Sequence, residues 1–228
     1  MRISTSPGTA SRALAVLRAK GLTGFALRAL DSTVYRRLLV HTRSLLAPAA
    51  QKPLPGAGDA DFSLLGRDEV EEYRLLRPDT PAAEVRRRLD AGQRCIVARL
   101  GGEVVHARWC ETDRFESAYL GFALELLPGF AYSYDAFTAR RARRLGIATA
   151  ATHHSDALLR AEGAVTTLGS VWPGNAAAIA MFTALGRTPI GSLGALHLGH
   201  RRRLIRHRLA DGYVGAAHRF SAFTDPSR

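Results

Sequence analysis

Lysine is nearly missing from this chain of 228 residues; Lys20 and Lys52 are the only two. The formal charge of +12 is therefore almost wholly arginine. Arginine keeps its charge at any cellular pH and offers a planar fork matched to phosphate and carboxylate. Two explanations stand side by side. One is a coding bias that also enriches Ala, Gly and Leu. The other is attraction to phosphate on a cofactor, an acceptor, a membrane surface or nucleic acid.

Cysteine is as scarce, with Cys95 and Cys110 alone. Two thiols at that spacing support neither a disulfide framework nor a zinc site, and no metal is expected. Each lies in or beside an apolar run, which fits a buried structural thiol. No apolar stretch reaches the roughly 20 residues that a membrane helix requires. The first residues, dotted with Ser, Thr, Pro and Arg, lack the apolar centre of a signal peptide, so a cytoplasmic location is expected.

What is present is organised in blocks. Residues 1–50 read as a basic amphipathic helical extension, with one helix over Ser11–Leu30 and another over Ser32–Leu46. Such helices more often pack their apolar stripe on the parent domain or a partner, and otherwise touch an anionic membrane peripherally. Residues 51–60, rich in Pro, Gly and Ala, read as a linker. From Phe62 the pattern predicts strand, helices over Asp68–Arg77 and Pro81–Ala91, then strands Arg94–Leu100 and Glu103–Cys110 joined at Gly101-Gly102. Strand Phe130–Thr138, helix Gly146–Glu162, strand Val165–Trp172, helix Ala176–Leu185 and strand Ile190–Leu198 follow. This order predicts one α/β or α+β domain over 61–200. Residues 201–228 are left as a basic tail, with His200–Arg208 a solvated face or a phosphate-binding cluster.

The chemistry concentrates where strand Phe130–Thr138 runs through Arg140, Arg141, Arg143 and Arg144 into a helix at Gly146-Ile147-Ala148. A helix N-terminus carries free N–H groups and partial positive charge, which suit a phosphate. A bulky residue in place of Gly146 or Ala148 would block the approach of the backbone. Arg143-x-x-Gly146-x-Ala148 after a strand, followed by Asn175, Ala178, Phe182 and Gly186 after the next strand, resembles the two motifs of the GNAT N-acetyltransferase superfamily.

That resemblance implies a mixed central sheet flanked by helices, with acetyl-CoA as acyl donor and an amine of an acceptor as nucleophile. The amides of Arg143, Arg144, Leu145, Gly146, Ile147, Ala148 and Thr149 would hold the pyrophosphate. The main chain at Phe137 and Thr138 would pair with the pantetheine arm, Asn175 would bond it or splay the strands, and the helix bearing Phe182 would flank the thioester. The implied acceptor is a small molecule or sugar amine, with a basic surface hinting at an anionic one. Nucleic acid is not the expected partner, and a dimer is compatible with the family.

Two family features are absent. Phe182 stands where relatives often carry Tyr, and Arg140 stands near the place of a frequent Pro. The proton acceptor is left open. Strand alternation places Tyr132, Tyr134 and Ala136 on the face of Thr138, with Asp135 opposite. Tyr134, Asp135 and Tyr132 are the nearest candidates, beside Glu125 or a water chain. His106 is a candidate lining residue of an acceptor pocket. Adjacent His153 and His154 point in different directions on a helix and fit packing or solvent rather than chelation.

Overall fold

The computed structural model describes residues 35–46, 57–198, 201–209 and 217–219. The expected helix over Ser11–Leu30, and with it most of the extension expected to pack on the domain or a partner or to touch a membrane, lies outside the described residues, as does most of the linker.

Eight strands form one sheet in the order β10-β9-β1-β8-β7-β4-β3-β2. These are β1 (Tyr35–Ser44), β2 (Asp61–Leu64), β3 (Arg94–Leu100), β4 (Glu103–Glu111), β7 (Phe130–Thr138), β8 (Thr166–Val171), β9 (Thr188–Leu198) and β10 (Arg201–His207). Every neighbouring pair is antiparallel except β7/β8. A second sheet, β11-β6-β5, joins β5 (Arg114–Ser117), β6 (Phe122–Glu125) and β11 (Ala217–Arg219).

The two faces of the large sheet are covered differently. Helices α1 (Val70–Leu76) and α2 (Ala82–Asp90) press Val70, Tyr73, Leu76 and Val85 onto Cys95, Val97, Ala107 and Trp109. Beside them the small sheet packs Phe115, Phe122 and Leu124 against Val40, Tyr132, Leu168 and Leu193. The opposite face lies under α3 (Ile147–Ala161) and α4 (Ala176–Ala184). The buried positions Ile147, Ala151, Ser155 and Leu159 of α3 recur every four residues, so one stripe meets the sheet. Ile147 joins Ala98 and Val105, and Leu159 joins Ile96, Cys110 and Ala131. Both thiols are free and buried. The β3–β4 turn is the expected one, with Gly101 and Gly102 both at positive φ (56° and 82°).

Two expectations are corrected. The segment read as a helix over Ser32–Leu46 contains strand β1, and that strand sits inside the sheet rather than on an appendage. It pairs with β8 on one side and β9 on the other, and Val40 is fully buried. A strand covered on both faces loses its polar-out alternation, so Leu38, Leu39 and Val40 run together and imitate a helical stripe. The segment read as a basic tail outside the domain begins with β10, an edge strand on β9. Exposed Arg203 and Arg206 on that edge deter further strand pairing.

Candidate functional site

Strands β7 and β8 are paired only from Phe130↔Thr166 to Ser133↔Gly169. Beyond that rung they part, and the fork between them is set by a bulge in β7. Ala107 of β4 faces Phe137 and Trp109 faces Tyr134, so Arg108 stands opposite two residues. A bulge bends its strand and re-aims the side chains beyond it. Asp135 takes the strained position at φ 47°. Its Oδ1 accepts from Arg77 Nη1 at 2.8 Å and its Oδ2 from Arg88 Nη1 at 2.9 Å. Two guanidiniums, one at the C-cap of α1 and one in α2, thus pin the bulged residue next to the fork.

At the end of β7 a 3-10 turn over Arg140–Ala142 leads to Gly146, the N-cap of α3. Arg144 (φ 70°) and Gly146 (φ 79°) are both left-handed, which turns successive amides into one concavity. No side chain caps the helix. The first bonds of the helix run from Thr149 N and Ala150 N to Gly146 O, each at 3.0 Å. Among the described residues, no backbone carbonyl accepts from the amides of residues 144–148. Thr149, expected in the phosphate cradle, therefore has its amide committed within the helix. Buried Ala142 and Ile147 anchor the turn, while Arg140, Arg141, Arg143 and Arg144 are exposed around it. Arg143 Nε donates to Thr138 O at 3.2 Å, capping the strand end with the side chain expected at the phosphate.

The bulge also overturns the expected alternation. Tyr134, Asp135 and Phe137 all face α1 and α2, where Arg88 lies over the Tyr134 ring and Arg77 over Phe137. Thr138 faces the other way, its Oγ1 2.8 Å from Nδ1 of His106. Tyr134 donates its hydroxyl to Gln93. Burial pushes that hydroxyl far above the usual phenol range, against the pull of Arg88. Tyr132 is fully buried, stacked on Phe115 at 3.7 Å, and burial raises its hydroxyl as well. Asp135 is held between two arginines. The three candidate acid-base residues are thus packed or paired rather than free. Burial, and then the Arg108 charge, lower His106 to about 3, so its imidazole is neutral.

Asn175 is the N-cap of α4, its Oδ1 accepting from Ala178 N at 3.1 Å. Phe182 reaches the fork: a Cβ built on Gly169 would meet its Cζ at 3.2 Å. His154 stacks on Phe62 at 4.3 Å, a packing role. On the α1 side, next to the strand end, a cleft of about 630 Å³ is lined by Glu72, Leu76, Glu103, Phe137, Ala139 and Arg140, among others.

Sequence reasoning missed Gln93, Arg108 and Arg187. Arg187 is 3 % exposed beneath the fork, its guanidinium 5.0 Å from the Phe182 ring centre. Following Gly186, it reads in sequence as an ordinary turn arginine, and only burial marks it out.

No family model matches the chain, and no curated protein matches it in sequence. Solved structures do. A GCN5-related glucosamine N-acetyltransferase region of a fungal multi-domain β-N-acetylglucosaminidase superposes with a TM-score of 0.55 at 13% identity, covering 76% of this chain and 22% of that one. A Drosophila protein superposes at 0.51 and 12% identity, covering 86% and 58%. A GNAT-family protein from Novosphingobium aromaticivorans gives 0.48 at 19% identity, covering 70% of this chain, which spans 62% of its length. With its forked β7/β8 pair, its uncapped turn into α3 and its superposition on the GCN5-related N-acetyltransferase region, the chain has the fold of the GNAT superfamily.

Proposed function

We propose that this protein is an acyl-CoA-dependent N-acyltransferase, transferring an acyl group, with acetyl-CoA as donor, to an amine in a ternary complex. The observation that carries this is the run of five amides, 144–148, that no backbone carbonyl among the described residues accepts from, at the mouth of the β7/β8 fork. Those amides and the α3 N-terminus would hold the pyrophosphate. The main chain of β7 past Ser133, freed from β8, would take the pantetheine arm as an added strand. CoA supplies a thioester activated for acyl transfer; the protein orients it and polarises its carbonyl through main-chain donors at the fork.

The amine would approach from the α1 side through the cleft beside Phe137 and Ala139. Glu72 and Glu103 border that cleft beside Arg140 and Arg141 and are themselves paired with Arg99 and Arg141, so the lining is mixed in charge and favours neither a cationic nor an anionic acceptor. With Tyr132 and Tyr134 buried and Asp135 ion-paired, proton removal falls to water in the cleft. Titration calorimetry with acetyl-CoA tests the reading. Binding that weakens at least about tenfold in Gly146→Val supports it, and no heat of binding in the parent protein ends it.

The occupied state of the three acid-base candidates favours a second reading, a CoA-binding module without turnover. Release of thiol from acetyl-CoA across a panel of amines separates the two, since any acceptor-dependent release rejects the second.

A further inference from the structure

The sheet face beneath α3 and α4 carries charge where a core would be expected. Arg187 is 3 % exposed, and none of its three guanidinium nitrogens has a hydrogen-bond partner. Arg108, 2 % exposed, donates from Nη1 to Thr152 Oγ1 at 2.6 Å, while its Nε has no partner. Among the described residues, neither arginine forms an ion pair. The carboxylate of this layer is Asp156 on α3. One of its oxygens accepts from Arg43 Nη1 at 2.9 Å, and the other is unpartnered. His41, whose Nδ1 is also unpartnered, adds no charge, because burial and then Arg187 lower its pKa.

Three guanidiniums therefore face one carboxylate in a buried layer. Leaving buried charge uncompensated is among the costliest things a fold can do. Burial and then Arg108 push Arg187 down to about 10, which still leaves it charged at neutral pH. The layer is short of negative charge.

Its position says where that charge would come from. His41 pairs with Gly169 across β1/β8, and Gly169 faces Ser133 in the last rung before the strands part. A Cβ on Gly169 would lie 3.0 Å from Arg187 Nη1. The guanidinium thus rests against the bare backbone at the closed end of the fork. The cleft assigned to the acceptor, lined by both glutamates and arginines, lies on the other face, under α1.

We propose that Arg187, with Arg108, forms an anion site at the closed end of the fork, and that its occupant is the terminal carboxylate of a dicarboxylic acyl group carried on CoA. This rests on the CoA reading of the fork given above. With no side chain at Gly169, the guanidinium and the Phe182 ring rest directly on the backbone at the fork, so an acyl carboxylate would reach the guanidinium as that ring gives way. A carboxylate there would accept charge-assisted hydrogen bonds from donors that otherwise have none.

The test is calorimetry on the full chain with CoA, butyryl-CoA and succinyl-CoA, the last two matched in acyl length. The parent protein should bind succinyl-CoA at least about tenfold more tightly than butyryl-CoA, the size expected of hydrogen bonds to a charged group. Arg187→Gln and Arg187→Met, each checked for folding by circular dichroism, should erase the difference, whereas Arg160→Gln on the exposed side of α3 should keep it. Equal affinity of the parent for the two thioesters overturns the proposal while leaving the CoA reading intact. Failure of CoA itself to bind overturns that reading and this one with it. Thermal melts in sodium chloride and in sodium gluconate cover a free anion: a chloride-dependent rise that requires Arg187, without any succinyl preference, also overturns the acyl assignment.

Discussion

Oδ2 of Asp135 accepts a hydrogen bond from Nη1 of Arg88 at 2.9 Å, tying α2 to a left-handed residue of β7. Although burial alone would lower it, the charges and hydrogen bonds of Tyr134, Glu84 and Asp135 raise Arg88 above its ordinary value, so it stays charged. Asp135→Ala removes both ion pairs and places Ala at positive φ. A loss of about 2–4 kcal/mol is expected by urea unfolding, from the stranded arginines and the left-handed backbone. Asp135→Asn tolerates the same backbone and keeps one acceptor oxygen, so it should lose roughly half as much. Equal losses would show that charge alone sets the bulge.

Gly146 separates binding from stability. Its φ of 79° costs a side chain about 1–2 kcal/mol. Gly146→Asn should unfold at nearly the parent urea concentration, since Asn visits this region readily, and Gly146→Val about 1–2 kcal/mol earlier. A loss of CoA affinity in Gly146→Val beyond that in Gly146→Asn would locate the defect in the amide concavity.

His106 predicts a pH slope. Its folded value is lowered to about 3, against 6.5 for an ordinary histidine. Between those limits the unfolded chain takes up a proton that the folded chain refuses, so stability falls as pH drops from 6.5 toward 3. The expected slope is roughly 1.4 kcal/mol per pH unit from this residue. Urea midpoints at pH 7, 6 and 5 should converge less steeply in His106→Asn. An unchanged slope would mean that His106 is protonated in the fold.

Strand β1 makes a prediction opposite to that of a dispensable extension. A chain beginning at residue 51 would leave β8 and β9 without their shared neighbour and should be unfolded by circular dichroism. Val40→Ala, at a fully buried site, should cost about 2–3 kcal/mol. A folded, soluble truncation would show that another segment fills the gap.

Much of the site was legible because it is local. Arg143-x-x-Gly146-x-Ala148 needs only a strand, a turn and a helix start, and the structure forms all three where the sequence placed them. The β3–β4 turn announced itself by two glycines at positive φ. What escaped depends on distant partners. The bulge at Asp135 exists because Arg77 and Arg88 reach it from other elements, and nothing within Phe130–Thr138 marks it. Once the bulge shifts the alternation, the face assigned to Tyr134 changes too. Strand β1 was hidden by its own burial, and Arg187 by looking like any arginine after a glycine turn.

The place of β1 has a consequence for how the molecule comes into being. This strand leaves the ribosome before any other described element, yet its ladder partners, Thr166–Val171 and Thr188–Leu198, are made long after it. Until they emerge, a strand with Leu38, Leu39 and Val40 at its centre and two open edges must wait. Contacts so far apart in sequence slow folding and prolong the exposure of sticky intermediates. Synthesis from the N-terminus therefore postpones completion of the sheet until its last third exists, and nascent chains should lean on holding chaperones for that interval.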